Sequence, residues 1–217
     1  MAAKVHPNVA LPSLGQPPAD EEPVTLTVWR KSLLLNCRGF TVFDASGNLV
    51  YRVDSYASDS RAEVVLMDAA GRPVLTVRRR RLIGLGADQW LVYPGEEARR
   101  TPPLYAVKRR APAQYMRGGG HGSAKSMAHV APCSGAAGVG AKTGGGYEVE
   151  GSYLRRCCTV YDERRQAVAE VRPKEALGTD VFRLVVQPGM EVPLAMAVVL
   201  ALDQMFGKPS LLRSWSS

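Results

Sequence analysis

From Val192 to Leu202 the chain runs through eleven consecutive residues with no polar side chain, closed by Asp203 and Gln204. Pro193 suits the first turn of a helix, Glu191 faces the positive end of its dipole, and Gly207 followed by Pro209 is a stop signal. The pattern predicts a helix from Met190 to Phe206. A helix that is apolar on every side has to be surrounded. Crossing a bilayer takes roughly 20 apolar residues, so this shorter run reads as a core helix sheathed in protein.

The sheath is visible as a repeat. Thr41-Val-Phe-Asp44-Ala-Ser-Gly47-Asn-Leu-Val-Tyr-Arg-Val53 aligns without gaps on Val65-Leu-Met-Asp68-Ala-Ala-Gly71-Arg-Pro-Val-Leu-Thr-Val77. Thr159-Val-Tyr-Asp162-Glu-Arg-Arg165-Gln-Ala-Val-Ala-Glu-Val171 is a third copy, with Arg165 in place of the glycine. In each, the aspartate accepts a backbone hydrogen bond from two residues on, and the glycine supplies the positive φ that closes a hairpin. The alternation beyond the turn puts Leu49, Tyr51 and Val53, with their counterparts Pro73, Leu75 and Val77 and Ala167, Ala169 and Val171, on one apolar face, and Val50 and Arg52, Val74 and Thr76, and Val168 and Glu170 on a mixed to polar face. Further strands are expected at Leu26–Arg30, Leu33–Cys37, Trp90–Tyr93, Leu104–Lys108, Tyr147–Glu150 and Val181–Gln187. Hairpins with one apolar face and a helix with no polar face are satisfied together if the sheet closes around the helix, which also leaves no open edge.

Two stretches lie outside this pattern. Residues 1–23 hold five prolines and the acidic Asp20-Glu-Glu22, and read as a flexible leader; 211–217 is a tail. Residues 111–146, rich in Gly, Ala and Ser, read as a long mobile loop interrupting a single domain of 24–210. The N-terminus has neither the pattern of a signal peptide nor a glycine at position 2. Cys37, Cys133, Cys157 and Cys158 form no CxxC pair; Cys157 and Cys158 would point to opposite faces of a strand, as reduced residues of an intracellular protein.

The segments Leu26-Thr-Val-Trp-Arg-Lys-Ser-Leu, Thr41 to Asp54, Val64 to Gly71, Ala169-Glu-Val-Arg172 and Asp180 to Gly189 resemble, in order, the LURP-one-related proteins of plants. The resemblance covers 24–110 and 147–206, and the Gly-rich insert departs from it. It implies the mainly β fold shared with tubby C-terminal domains and phospholipid scramblases: a closed twelve-stranded antiparallel barrel around a central hydrophobic C-terminal helix. It also implies a tie to plant defence, through the founding member, and phosphoinositide binding, through the tubby relatives.

No catalytic constellation stands out. His6, His121 and His129 all fall in the leader or the loop, so no histidine base is expected on a rigid scaffold. There is no HExxH motif and no calcium loop, so neither metal nor cofactor is expected. Gly119 to Ser126 misses a P-loop because Ala124 replaces the last glycine, and Gly84-Leu-Gly86 lacks the third glycine of a dinucleotide fingerprint. Asp44, Asp68 and Asp162 recur because the turn recurs.

What remains is charge. Lys and Arg number 28 against 20 Asp and Glu, and residues 61–117 hold 12 of the former and 5 of the latter. Extending the alternation past Val77 sends Arg78 and Arg80 outward and Arg79 and Arg81 inward, so the strand must end, bulge or pass the barrel rim near Arg79. Arg78, Arg79, Arg80 and Arg81, with Lys108, Arg109 and Arg110 nearby, form a basic fan suited to bidentate phosphate contacts. The sequence thus points to a monomeric, non-enzymatic intracellular binding module that meets anionic lipid headgroups at a membrane surface or another signalling partner, such as a protein. The alternative is a nucleic-acid-binding or transcription-associated protein using the same segment, although no aromatic residues are interleaved there for base stacking.

Overall fold

The computed structural model describes residues 22–31, 38–55, 63–81, 88–96, 101–110, 126–133, 145–174 and 178–207. Twelve strands follow in order: β1 (Val24–Trp29), β2 (Arg38–Phe43), β3 (Leu49–Ser55), β4 (Glu63–Asp68), β5 (Pro73–Arg80), β6 (Gln89–Pro94), β7 (Tyr105–Arg109), β8 (Ser126–Pro132), β9 (Tyr147–Ser152), β10 (Cys157–Tyr161), β11 (Ala167–Pro173) and β12 (Val181–Val186). Each pairs antiparallel with its neighbour in sequence, and β1 closes the barrel on β12, with Val24 opposite Val186 and Trp29 opposite Val181. The helix α1 (Val192–Phe206) occupies the lumen, and Met196, Ala197, Val198 and Ala201 are sealed from solvent. Among the described residues no helix is long and apolar enough to cross a membrane.

The three repeats fold alike. Backbone N–H groups of Asn48, Arg72 and Gln166 donate to the Oδ1 atoms of Asp44, Asp68 and Asp162 at 2.8, 2.9 and 2.8 Å. These bonds run to the residue four on; the expected bond from the backbone two residues on is also made, by Ser46 to Asp44 and by Ala70 to Asp68. One residue in each turn is left-handed: Gly47 (φ 85°), Gly71 (φ 83°) and Arg165 (φ 63°). A register shift follows in all three hairpins, after Val42, Leu66 and Val160, as expected where a left-handed residue closes a longer loop. Arg165 adopts this conformation without being glycine, held by an ion pair to Glu150 at 2.9 Å and by packing over the Tyr161 ring at 4.5 Å.

Of the residues the alternation placed inward, Val53, Leu75, Val77, Ala169 and Val171 are buried in the core and Tyr51 packs against it. Beside the register shifts the pattern fails: Pro73 is exposed, and Val50, Val74 and Val168, expected on the other face, pack against the core. The expected strands recur with ends shifted by a residue or two, except Leu33–Cys37, which lies outside the described residues, as do 1–21, 211–217 and Gly84 to Gly86.

The stretch 111–146 is the correction. Ser126–Pro132 is not loop but β8, an integral stave between β7 and β9, with Ala128 and Val130 fully buried. Its short Ser-Met-Ala-His-Val-Ala run alternates inward and outward, and the glycine-rich sequence on both sides hid it. His129 therefore sits on a strand, contrary to the expectation that every histidine lies in leader or loop. Cys157 is exposed and Cys158 buried, on opposite faces, and burial pushes the Cys158 thiol up to about 12.

Where the helix enters the barrel, burial raises the phenol of Tyr105 to about 12, with further contributions from Tyr147 and Glu191. The Tyr147 ring lies 6.5 Å away and its phenol is raised as well, again chiefly by burial. An unfolded tyrosine ionises near pH 10, so between about pH 10 and 12 the folded chain holds more protons than the unfolded one. This contribution to stability is complete below pH 10 and is lost as pH rises towards 12. Denaturant titrations at about pH 9 and about pH 11.5 should show the loss, and Tyr105→Phe should reduce the difference between them.

Candidate functional site

The barrel has two unlike ends. One carries the Asp-centred turns and the entry of α1; the other gathers the ends of β5 and β7, the starts of β6 and β8, and the C-terminus of α1. Phe206 reaches this second rim, where the Arg109 guanidinium lies 4.9 Å from its ring centre. All seven basic residues singled out in the sequence stand at this rim, and it sorts them into two groups.

Three are matched by carboxylates. Arg78 faces outward opposite Glu63, donates to it from Nε at 2.7 Å, and lies over the Tyr93 ring. Arg79 faces the lumen just where the strand reaches the rim; it pairs with Asp88 and covers the Trp90 ring. The strand does not bulge: it passes the rim here and ends one residue on, at Arg80 opposite Gln89. Arg110 donates to Glu148 Oε1 at 2.7 Å.

The other four are not matched. Arg80, Arg81, Lys108 and Arg109 are exposed, and none has a carboxylate within ion-pair distance among the described residues. Arg80, Gln89, Lys108 and His129 lie in one cross-strand row on the outer face. Arg109 lies on the inward face, opposite Ala128. Among the described residues the acids at this end are already engaged: Glu63 with Arg78, Asp88 with Arg79, Glu148 with Arg110, Asp54 with Arg52 at 3.5 Å, and Asp180 and Asp203 with Arg30 at 3.9 and 2.9 Å. The surplus is positive.

The sequence reading missed one contributor. Arg155, in the 3-10 turn Tyr153–Arg155 between β9 and β10, is exposed at the same rim. The Arg155-Arg156 pair is plain in the sequence, but it lies far from the arginine run and shares no repeat with it. The structure splits the pair, leaving Arg155 in solvent and burying Arg156.

Glu148 gathers the groups nearest to catalytic chemistry. His129 Nδ1 stands 2.9 Å from Glu148 Oε1, and the Ser126 hydroxyl donates to Glu148 Oε2. The serine and the histidine are thus held by one carboxylate, whereas nucleophilic catalysis needs the histidine on the serine. The cluster stitches β8 to β7 and β9. Among the described residues no group of three His, Cys, Asp or Glu side chains is placed to hold a metal ion.

Comparison with known proteins accords with this architecture. The sequence model for the family described as LURP-one-related matches residues 24–203. The chain is 42% identical over 211 residues to protein LURP-one-related 8 of Arabidopsis thaliana, covering 94% of this chain and 97% of that protein. The chain belongs to the LURP-one-related family. LURP-one-related 17 of the same plant is 39% identical over 192 residues, covering 84% of this chain and 83% of that protein. An X-ray structure of an Arabidopsis thaliana protein superposes with a TM-score of 0.57 at 24% identity, over 84% of this chain and 91% of that one, which bears on the fold alone. β8 lies within the bounds of the LURP-one-related match.

Proposed function

We propose that this LURP-one-related protein is a non-enzymatic binding module that seats its basic rim on anionic membrane surfaces, with phosphoinositide headgroups as ligands, in plant defence signalling. The observation that carries this reading is the surplus at the rim: Arg80, Arg81, Lys108 and Arg109 stay exposed and unmatched after the acids there are paired. A basic residue close to an anionic leaflet contributes about 1 kcal/mol, falling off within a Debye length. Guanidinium groups add bidentate geometry for phosphate. A flat bilayer can meet all four at once because they lie at one end of a rigid barrel.

The test substitutes Arg80, Arg81, Lys108 and Arg109 together by Gln and measures sedimentation with vesicles containing phosphatidylserine or phosphoinositide. Affinity should fall roughly 100-fold or more, with the melting temperature nearly unchanged, since exposed charges contribute little to folding. Wild-type binding should weaken steeply with salt. Replacing the three arginines by Lys separates plain charge attraction, which would survive, from bidentate recognition, which would not. Wild-type protein that ignores such vesicles at low salt and binds duplex DNA would overturn the reading in favour of nucleic acid.

A further inference from the structure

Among the described residues only two large apolar side chains are exposed, Val24 at 43% and Leu154 at 49%. Val24 lies at the far end of the barrel, opposite Val186, but Leu154 stands on the basic rim at the middle of the 3-10 turn. That turn is built to hold it outward. On one side Tyr153 is buried, its hydroxyl donates to Asp203 Oδ1 at 3.2 Å, and its ring meets Phe182 edge-on. On the other side Arg156 is 95% buried, its guanidinium 4.2 Å from the Tyr153 ring centre and 4.5 Å from that of Phe182, while Nε donates to the Thr179 carbonyl at 2.7 Å.

The anchor is costly. Arg156 is left-handed at φ 53°, which disfavours any side chain, and its buried Nη1 has no hydrogen-bond partner. Backbone strain of this kind persists where the surroundings over-determine it, commonly at sites that act on something else. Here the residues between the two anchors, Leu154 and Arg155, are the ones delivered to solvent. Around them stand further basic residues: Arg183 lies opposite Arg172 across β11 and β12, Arg172 itself pairs with Glu170, and Lys174 follows β11.

We infer that Leu154 is the membrane-inserting tip of this rim, entering the acyl region of an anionic bilayer while Arg155 contacts phosphates beside it. The inference rests on the membrane reading above and adds to it a residue that reads the hydrocarbon rather than the charge. An amphipathic boundary suits the pair, since an exposed leucine gains by leaving water only where apolar material lies within one side-chain length of the phosphates.

The experiment uses the full chain and vesicles of phosphatidylcholine and phosphatidylserine. Leu154→Gln should lower vesicle affinity roughly tenfold with an unchanged melting temperature, whereas Val24→Gln should leave affinity as it was. Leu154→Trp should show fluorescence quenched by lipids brominated on the acyl chain, beyond the quenching of wild-type protein. If wild-type protein binds the vesicles but Leu154→Gln binds equally well, or Leu154→Trp is not quenched, the tip does not insert and only this inference falls. If wild-type protein does not bind at all, the membrane reading falls and the inference with it.

Discussion

Val199→Asp should yield a chain with no cooperative melting transition. Val199 is 2% exposed, and its neighbours in the helix, Val198 and Leu200, are 0% and 1%. The helix meets strands of the barrel all round, so no rotation brings position 199 to water. A carboxylate there is either desolvated without a partner or protonated far from its ordinary range; each course costs several kcal/mol. Domains of this size hold about 5–15 kcal/mol in total, so the variant sits at or below the folding threshold. Val199→Ala is the contrast: it leaves a small cavity, costs about 2 kcal/mol and should still melt cooperatively at a lower temperature. Circular dichroism melts of the two side by side make the check. A soluble, cooperatively melting Val199→Asp protein would mean that the helix is not the core of the barrel.

The parts of this structure legible in the sequence are those where one local rule acts alone. The helix had to be enclosed because Val192 to Leu202 offers no polar face, and the hairpins announced themselves through an aspartate and a left-handed residue at fixed spacing. β8 was not legible for a physical reason. Its inward residues, Ala128 and Val130, are small, and its other positions are Ser126, Met127, His129, Ala131 and Pro132, so the segment has little β preference of its own. It is a strand because β7 and β9 flank it and the barrel cannot close without it. Tertiary pairing decides there, and no window of sequence contains that information.

The basic rim divides in the same way. Position along the chain showed that Arg78 to Arg81 cluster, and alternation showed that Arg79 meets the rim. Which arginines remain available depends on acids brought in from elsewhere: Glu63 reaches Arg78 across a hairpin, and Glu148 reaches Arg110 from 38 residues away. Arg155 joins the rim, and Arg156 leaves it, because of a single turn whose neighbours Phe182 and Thr179 are far along the chain.

Deleting 126–132 together with its glycine-rich flanks, as 111–146 replaced by a short linker, should abolish folding, whereas shortening 112–124 alone should be tolerated. Removing β8 strips the ladders from one edge each of β7 and β9, uncovers the lumen where Ala128 and Val130 now seal it, and takes away both His129 and Ser126 from Glu148. A barrel opened in this way presents two unpaired edges, a template for aggregation as well as a loss of stability. The shorter deletion acts differently, because the chain ends it would join are already adjacent: Arg110 N donates to the Met127 carbonyl at 3.1 Å. A linker of a few Gly and Ser residues can span that gap, and the free energy of loop closure changes by only about 0.6 kcal/mol for each halving of loop length. Expression in soluble form followed by a denaturant titration distinguishes the two variants. A cooperatively folding protein lacking 111–146 would show that the barrel closes on eleven strands, and aggregation of the 112–124 variant would show that those residues pack against the fold.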